Sequence, residues 1–191
     1  MPPHILRRAV AAAFLLAAAG SCTKEPEGAI RVAVIGGKLA MADPAAGPLS
    51  PPQQVLLANV AQGLVRFDAR GEIEPGLAER WNVSDDGLSY IFRIASTHWS
   101  DGRKITGQQI ARLLKRQFAS ASRNPLKDLF GAVEDVVAMT DRVIEVRLST
   151  PQPHLLQLLA QPELAVVRDG HGTGPFKIDE DKAGELRLQR C

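Results

Sequence analysis

Beyond residue 29 the apolar positions fall into short blocks whose spacing changes from one block to the next. The run IRVAVI at 30–35 is β-branched and closed by Gly36 and Gly37, which predicts a buried strand. Residues 41–52 hold too many prolines for a regular element and predict a loop. At its end Ser50, Pro51, Pro52 and Gln53 offer an N-cap, prolines suited to a first turn and a glutamine at the capping-box position, so a helix should run to about Gln62 and stop at Gly63. Residues 64–75 alternate around a turn at 68–71 and read as two short extended pieces.

Trp81 and Val83 alternate with Asn82 and Ser84, and after Asp85, Asp86 and Gly87 the residues Leu88, Tyr90, Phe92 and Ile94 alternate with Ser89 and Arg93. That period predicts a β-hairpin with one buried face. Trp99, Asp101 and Gly102 mark a second turn, and Thr106 with Gln109 repeats the capping-box spacing. Ile110, Leu113, Leu114 and Phe118 then share one face of a helix, while Arg112, Lys115 and Arg116 lie elsewhere on it. A further hairpin should turn at 140–142, with 143–148 as its stronger strand. A short helix within 151–162, a short buried strand at 164–167 and a last extended pair at 176–178 and 185–189 complete the pattern.

Ahead of these blocks, Arg7 and Arg8 precede an apolar run at 9–19 that is too short to span a bilayer and that ends in Ala19, Gly20, Ser21 and Cys22. A basic start, a short apolar stretch and small residues predict an export signal over residues 1–21. The stretch AAGSC resembles the lipobox of bacterial lipoproteins, with Ala19 where leucine is usual, so Cys22 is the expected lipidation site and residues 22–29 the tether. Removing the signal takes away two arginines and no acid, leaving a chain with equal numbers of basic and acidic residues. The body therefore carries no basic patch for a nucleic-acid partner. Cys22 and Cys191 are the only cysteines, which excludes a disulfide framework.

The block VAQGLVRFDARGEIEPGLAERWNVSDDGLSYIFRIASTHWSDGRKIT resembles the diagnostic region of the peptide and nickel solute-binding proteins of bacterial ABC importers, family 5. Gly63, Leu64, Gly71, Pro75, Leu77, Ala78, Glu79, Trp81, Asp86, Gly87, Tyr90, Phe92, Trp99, Ser100, Asp101, Gly102 and Thr106 all fall into its pattern. The segment DRVIEVRLSTPQPHLLQLLA resembles the family's next strand and helix, and GTGPF at 172–176 its return to the first lobe. The family usually carries Ala-x-Asp/Glu after the threonine, where this chain has Gly107, Gln108 and Gln109.

The resemblance implies an α/β chain holding part of a type II periplasmic binding protein fold: the first lobe with its small subdomain, the second lobe absent. Residues 30–50 and 161–191 would form the core of that lobe and 51–160 its subdomain. It implies a ligand-facing surface at Gly47, Pro48, Leu49 and Ser50 and near Pro125 and Leu126, where exposed main chain could pair with an extended peptide. The expected function is capture of a peptide or other small solute by a lipid-anchored component of an ABC importer, handed to a permease in the inner membrane. The alternative is a short lipoprotein that keeps one lobe as a structural or partner-binding module.

No chemistry competes with this reading. His4, His98, His154 and His171 have no ligand spacing with one another or with a cysteine, so no metal and no cofactor is expected. The stretch GHGTGP continues into a strand pattern rather than opening a helix, no serine sits in a nucleophile elbow, and the chain reads as no enzyme. Thr23 stands where an aspartate would retain a lipoprotein at the inner membrane, which leaves the periplasmic faces of both membranes open.

Overall fold

The computed structural model describes residues 30–182 and 184–191. The expected export signal and the whole tether, Cys22 included, lie outside these residues. From Val34 to Cys191 the chain forms one contact unit.

Its centre is a four-stranded antiparallel sheet in the order β3-β4-β6-β5, built from β3 (Ala78–Val83), β4 (Ser89–Ile94), β5 (Val133–Thr140) and β6 (Val143–Leu148). Period-two alternation sets the register. Tyr90 lies opposite Val83 on one side and Val146 on the other, and Phe92 lies opposite Trp81 and Ile144. Phe92, Ile94, Ile144 and Val146 are fully enclosed, so a one-residue slip would drive all of them into water. Each such side chain contributes about 1.5–3 kcal/mol relative to exposure. Glycine at position 87 has φ +70°, which a tight turn demands, and lets Ser84 and Ser89 close the hairpin through Ser84 N–H to Ser89 O at 2.9 Å.

Helix α2 (Gly107–Phe118) follows helix α1 (Pro51–Val60) in chain order and covers the apolar side of the sheet with Ile110 and Leu114, both fully buried. Lys115 reaches Asp135 of β5 at 2.6 Å. The departure from the usual Ala-x-Asp/Glu has a steric reason. A Cβ on Gly107 would stand 2.7 Å from Thr140 O, at the turn between β5 and β6. Gln109 replaces the acid and does more: Oε1 accepts from Thr106 N–H at 3.2 Å and from the buried Trp99 Nε1 at 3.1 Å.

A smaller sheet pairs β1 (Val65–Phe67) with β2 (Ile73–Pro75), and a terminal one pairs β7 (Phe176–Lys182) with β8 (Glu185–Arg190). Helix α3 (Leu155–Leu159) seals the end of the main core with Leu155 and Leu159. A second, smaller core gathers Leu49, Leu57, Ala61, Ala165 and Val167.

Three sequence expectations need correction. Residues 30–35 form no strand, and Ile30 and Ile35 are 90% and 92% exposed. A β-branched run becomes a strand only when a neighbour takes its N–H and C=O groups, and no described strand pairs with it. Residues 164–167 are buried as expected but enter no ladder. Pro162 starts a 3-10 turn through Leu164, after which Val166 N–H makes one bond, to Gln62 O at 3.0 Å. Helix α1 stops at Val60 rather than near Gln62, because Ala61 is already extended at φ −137° while its N–H still bonds Leu57 O. Gly63 is required by packing instead: a Cβ there would collide with Leu159 O.

Candidate ligand-binding face

The loop leading into α1 is held by its own polar groups. Asp43 Oδ1 accepts from Ala45 N–H at 3.1 Å and Asp43 Oδ2 receives Arg116 Nη2 from α2 at 2.6 Å. Ala45 O in turn accepts from Arg123 N–H at 3.0 Å. This last bond joins the loop carrying Gly47, Pro48, Leu49 and Ser50 to the connection that carries Pro125 and Leu126. The structure thus brings the two expected segments to neighbouring places.

Within them the residues have different duties. Leu49 is buried in the smaller core and Pro48 is exposed. Ser50 caps α1: its N–H donates to Gln53 Oε1 at 2.9 Å and its carbonyl accepts from Gln54 N–H at 2.9 Å. Leu126 is half-buried against the main core, with its N–H given to Asn124 Oδ1 at 2.9 Å and its carbonyl to Leu129 N–H at 2.9 Å. Gly47, Pro48 and Leu49 are among the described residues of the loop whose main-chain groups make no hydrogen bond outside the 3-10 turn at 44–46.

A buried polar network sets the second segment. Gln117 and Asn124 are each 3% exposed. Asn124 Nδ2 donates to Gln117 Oε1 at 2.9 Å and to Glu163 O at 2.8 Å, its N–H donates to Ser122 Oγ at 3.1 Å, and Gln117 Nε2 donates to Ala165 O at 3.1 Å. Both amides are engaged at both ends, which is the condition for a buried polar network to specify one backbone path. Sequence reasoning missed these residues. Gln117 follows the polar spacing of α2, and Asn124 stands before a proline in a polar stretch, so neither carries a mark of burial.

Two open depressions lie beside this region. One, of about 280 Å³, is bordered by Met41, Asp43, Arg116, Arg168 and Asp169; the other, of about 190 Å³, by Met41, Ser100, His171, Phe176 and Lys177. None of Gly47, Pro48, Leu49, Ser50 and Leu126 lines either. Between them the two diagnostic motifs meet. Ser100 N–H donates to Gly172 O at 3.1 Å, Ser100 Oγ lies 3.1 Å from His171 Nδ1, and Arg168 Nη2 donates to Asp101 Oδ2 at 2.5 Å. Donation from Arg103 N–H to Asp101 Oδ1 at 3.0 Å holds that carboxyl below the ordinary carboxylate range, and Arg168 adds to the effect.

Serine, histidine and aspartate at one place invite a catalytic reading, which the geometry refuses. His171 Nε2 stands 3.9 Å from Asp101 Oδ2, beyond hydrogen-bond distance, and Asp101 is already committed to Arg168 and Arg103. Among the described residues no group of three or more His, Cys, Asp or Glu side chains could hold a metal ion, and no helix is long and apolar enough to cross a membrane.

Comparison with known proteins places this architecture. Residues 72–190 match the middle region of the bacterial extracellular solute-binding proteins, family 5. The chain is 31% identical over 129 residues to the probable deoxycholate-binding periplasmic protein YgiS of Escherichia coli K12, covering 58% of this chain and 24% of that protein. It is 28% identical over 157 residues to the dipeptide-binding protein DppE of Bacillus subtilis 168, covering 66% and 29%. Among solved structures it superposes on the AgaA–agropinic acid complex from A. tumefaciens R10 with a TM-score of 0.72 at 24% identity, over 81% of this chain and 34% of that one. It matches Haemophilus influenzae OppA bound to RPPGFSPFR with a TM-score of 0.70 at 20% identity, over 78% and 36%. The chain spans roughly a quarter to a third of the length of these proteins. It belongs to family 5 of the bacterial extracellular solute-binding proteins.

Proposed function

We propose that this chain is the solute-capturing part of an ABC importer, anchored by lipid on Cys22 at the periplasmic face of a bacterial membrane, with peptides as its solutes. Its work is binding, not catalysis. The observation that carries the reading is the match over 72–190, together with a fold shared with neighbours solved in complex with agropinic acid and with the peptide RPPGFSPFR. Residues 30–50 and 161–191 would form the core of one lobe and 51–160 its subdomain. The solute would lie across Gly47, Pro48, Leu49 and Ser50 with Leu126 beside them, using the main-chain groups of 47–49 and the apolar surface of Leu126.

The dipeptides, agropinic acid and deoxycholate for which its relatives and neighbours are described each carry a carboxylate. That supports a carboxylate-bearing solute as the ligand class. The permease of the importer is the proposed partner.

Calorimetric titration of the full chain with mixed short peptides tests the reading. Heat that saturates with peptide supports capture; no heat over a millimolar range overturns it in favour of a structural or partner-binding module. For the anchor, Cys22→Ser should move the protein from the membrane fraction to the soluble one, and unchanged membrane retention would overturn the lipidation assignment.

A further inference from the structure

Lys115 and Arg116 are neighbours on α2, and each makes an ion pair of 2.6 Å. The two pairs are alike in exposure as well: 53% and 43% for the side chains of Lys115 and Asp135, 53% and 38% for those of Arg116 and Asp43. What differs is the element each one reaches. Asp135 stands on β5, whose Val136 already shares the main core with Ile110 and Leu114 of α2, so that pair joins elements the core has fixed. Asp43 opens the loop that runs to Ser50. Among the described residues, the polar bonds between this loop and α2 with the connection after it are the Asp43–Arg116 pair and Arg123 N–H to Ala45 O at 3.0 Å.

The two oxygens of Asp43 do separate things. Oδ1 accepts from Ala45 N–H at 3.1 Å and sets the 3-10 turn at 44–46, while Oδ2 receives Arg116 Nη2. Downstream, Leu49 is buried in the smaller core and Ser50 caps α1. Gly47 and Pro48 therefore hang between a firm anchor of apolar packing and a lighter one that includes a surface ion pair. Such a pair adds little to the stability of a whole domain. A loop that holds its binding shape for only a fraction of the time weakens affinity by that fraction, so the same small energy is visible in binding.

We propose that Asp43 and Arg116 are positioning residues of the candidate face, their ion pair holding 47–49 in the shape that receives solute, whereas the matched Lys115–Asp135 pair joins helix to sheet and has no part in capture. The assignment rests on the solute-capture reading above and names the side chains that keep its loop in place.

The test uses the full chain as wild type, Arg116→Gln, Asp43→Asn, the double variant of these two, Arg116→Lys and the control Lys115→Gln. Asp43→Asn keeps an oxygen for Ala45 N–H and loses the charge. Amide hydrogen exchange is read at Ala46 and Arg123, whose N–H groups bond Asp43 O and Ala45 O, and calorimetry reads the apparent affinity for the same mixture of short peptides. R116Q and D43N should each exchange faster at both amides and bind about fivefold more weakly, which corresponds to about 1 kcal/mol, the upper end for an exposed pair. The double variant should be no weaker than either single one, because both remove one interaction. R116K should recover part of the affinity, and K115Q should leave exchange and affinity at wild-type values. R116Q and K115Q should unfold at the same urea concentration, a match that separates positioning from stability.

If exchange at Ala46 and Arg123 is unchanged in R116Q, the assignment is overturned whatever the chain binds. If exchange rises but R116Q binds the peptides as tightly as wild type, or if K115Q weakens binding equally, the assignment is overturned and solute capture stands. If wild type binds no peptide, capture falls and the assignment falls with it.

Discussion

Arg168 lies over the buried ring of Trp99, its guanidinium carbon 4.8 Å from the ring centroid, and from there donates Nη2 to Asp101. Trp99 and Asp101 belong to the WSDG turn, and Arg168 enters the glycine-rich crossing near residue 170, so one side chain ties together motifs far apart in the chain. The side chain of Arg168 is only 14% exposed, which strengthens both contacts relative to a surface pair. Arg168→Met should keep the packing stem and lose the charge, lowering the unfolding free energy by about 1–2 kcal/mol in urea denaturation. Arg168→Lys should recover only part, because an ammonium lacks the flat fork. Equal stability of all three chains would contradict this role.

Acid should release the same joint. Asp101 has a folded-state pKa below its ordinary value, so its contribution is complete above the unfolded pKa of about 3.9 and disappears as pH falls through the folded value. Wild type should therefore melt above Asp101→Asn at pH 7, and the gap should close below about pH 4. A gap that persists at pH 2 would show that Asp101 acts through shape rather than charge.

Glycines 172 and 102 make a matched pair with different reasons for being glycine. A Cβ on Gly172 would run into the carbonyl of Val60, where Gly174 N–H also bonds at 2.9 Å. Gly102 has open space around it and only a φ of +85° to justify it. Gly172→Ala should cost upward of about 3 kcal/mol or prevent folding, by overpacking against rigid backbone. Gly102→Ala should cost about 1–2 kcal/mol, the ordinary strain of a left-handed L-residue. Chemical denaturation of the two variants decides the order.

Gln109 should matter more than its partner in the helix cap. Thr106→Ala removes one acceptor, Oγ1, from Gln109 N–H and should cost about 1 kcal/mol. Gln109→Ala removes the acceptor for Thr106 N–H and leaves the Trp99 indole N–H buried without a partner, which adds about 1–3 kcal/mol. Circular-dichroism melts that rank Thr106→Ala as the more damaging change would overturn this account.

Local interactions made most elements legible. Apolar alternation placed both hairpins of the main sheet, since period two is a property of the strand itself. The Thr106–Gln109 spacing placed α2, because capping acts within one turn. The same words carried the family resemblance. Three-dimensional neighbours decided the rest: a run such as 30–35 is β-branched whether or not a strand lies beside it, and 164–167 is apolar whether or not it joins a ladder. The candidate face divides the same way. Proline content marked 41–52 as a loop, but only the fold revealed that Arg123 touches that loop, that Leu49, Asn124 and Gln117 are buried, and that Ser50 and Leu126 have already committed their amides. Periodicity is written along the chain, whereas burial of a polar group and availability of a charge depend on what folds against it.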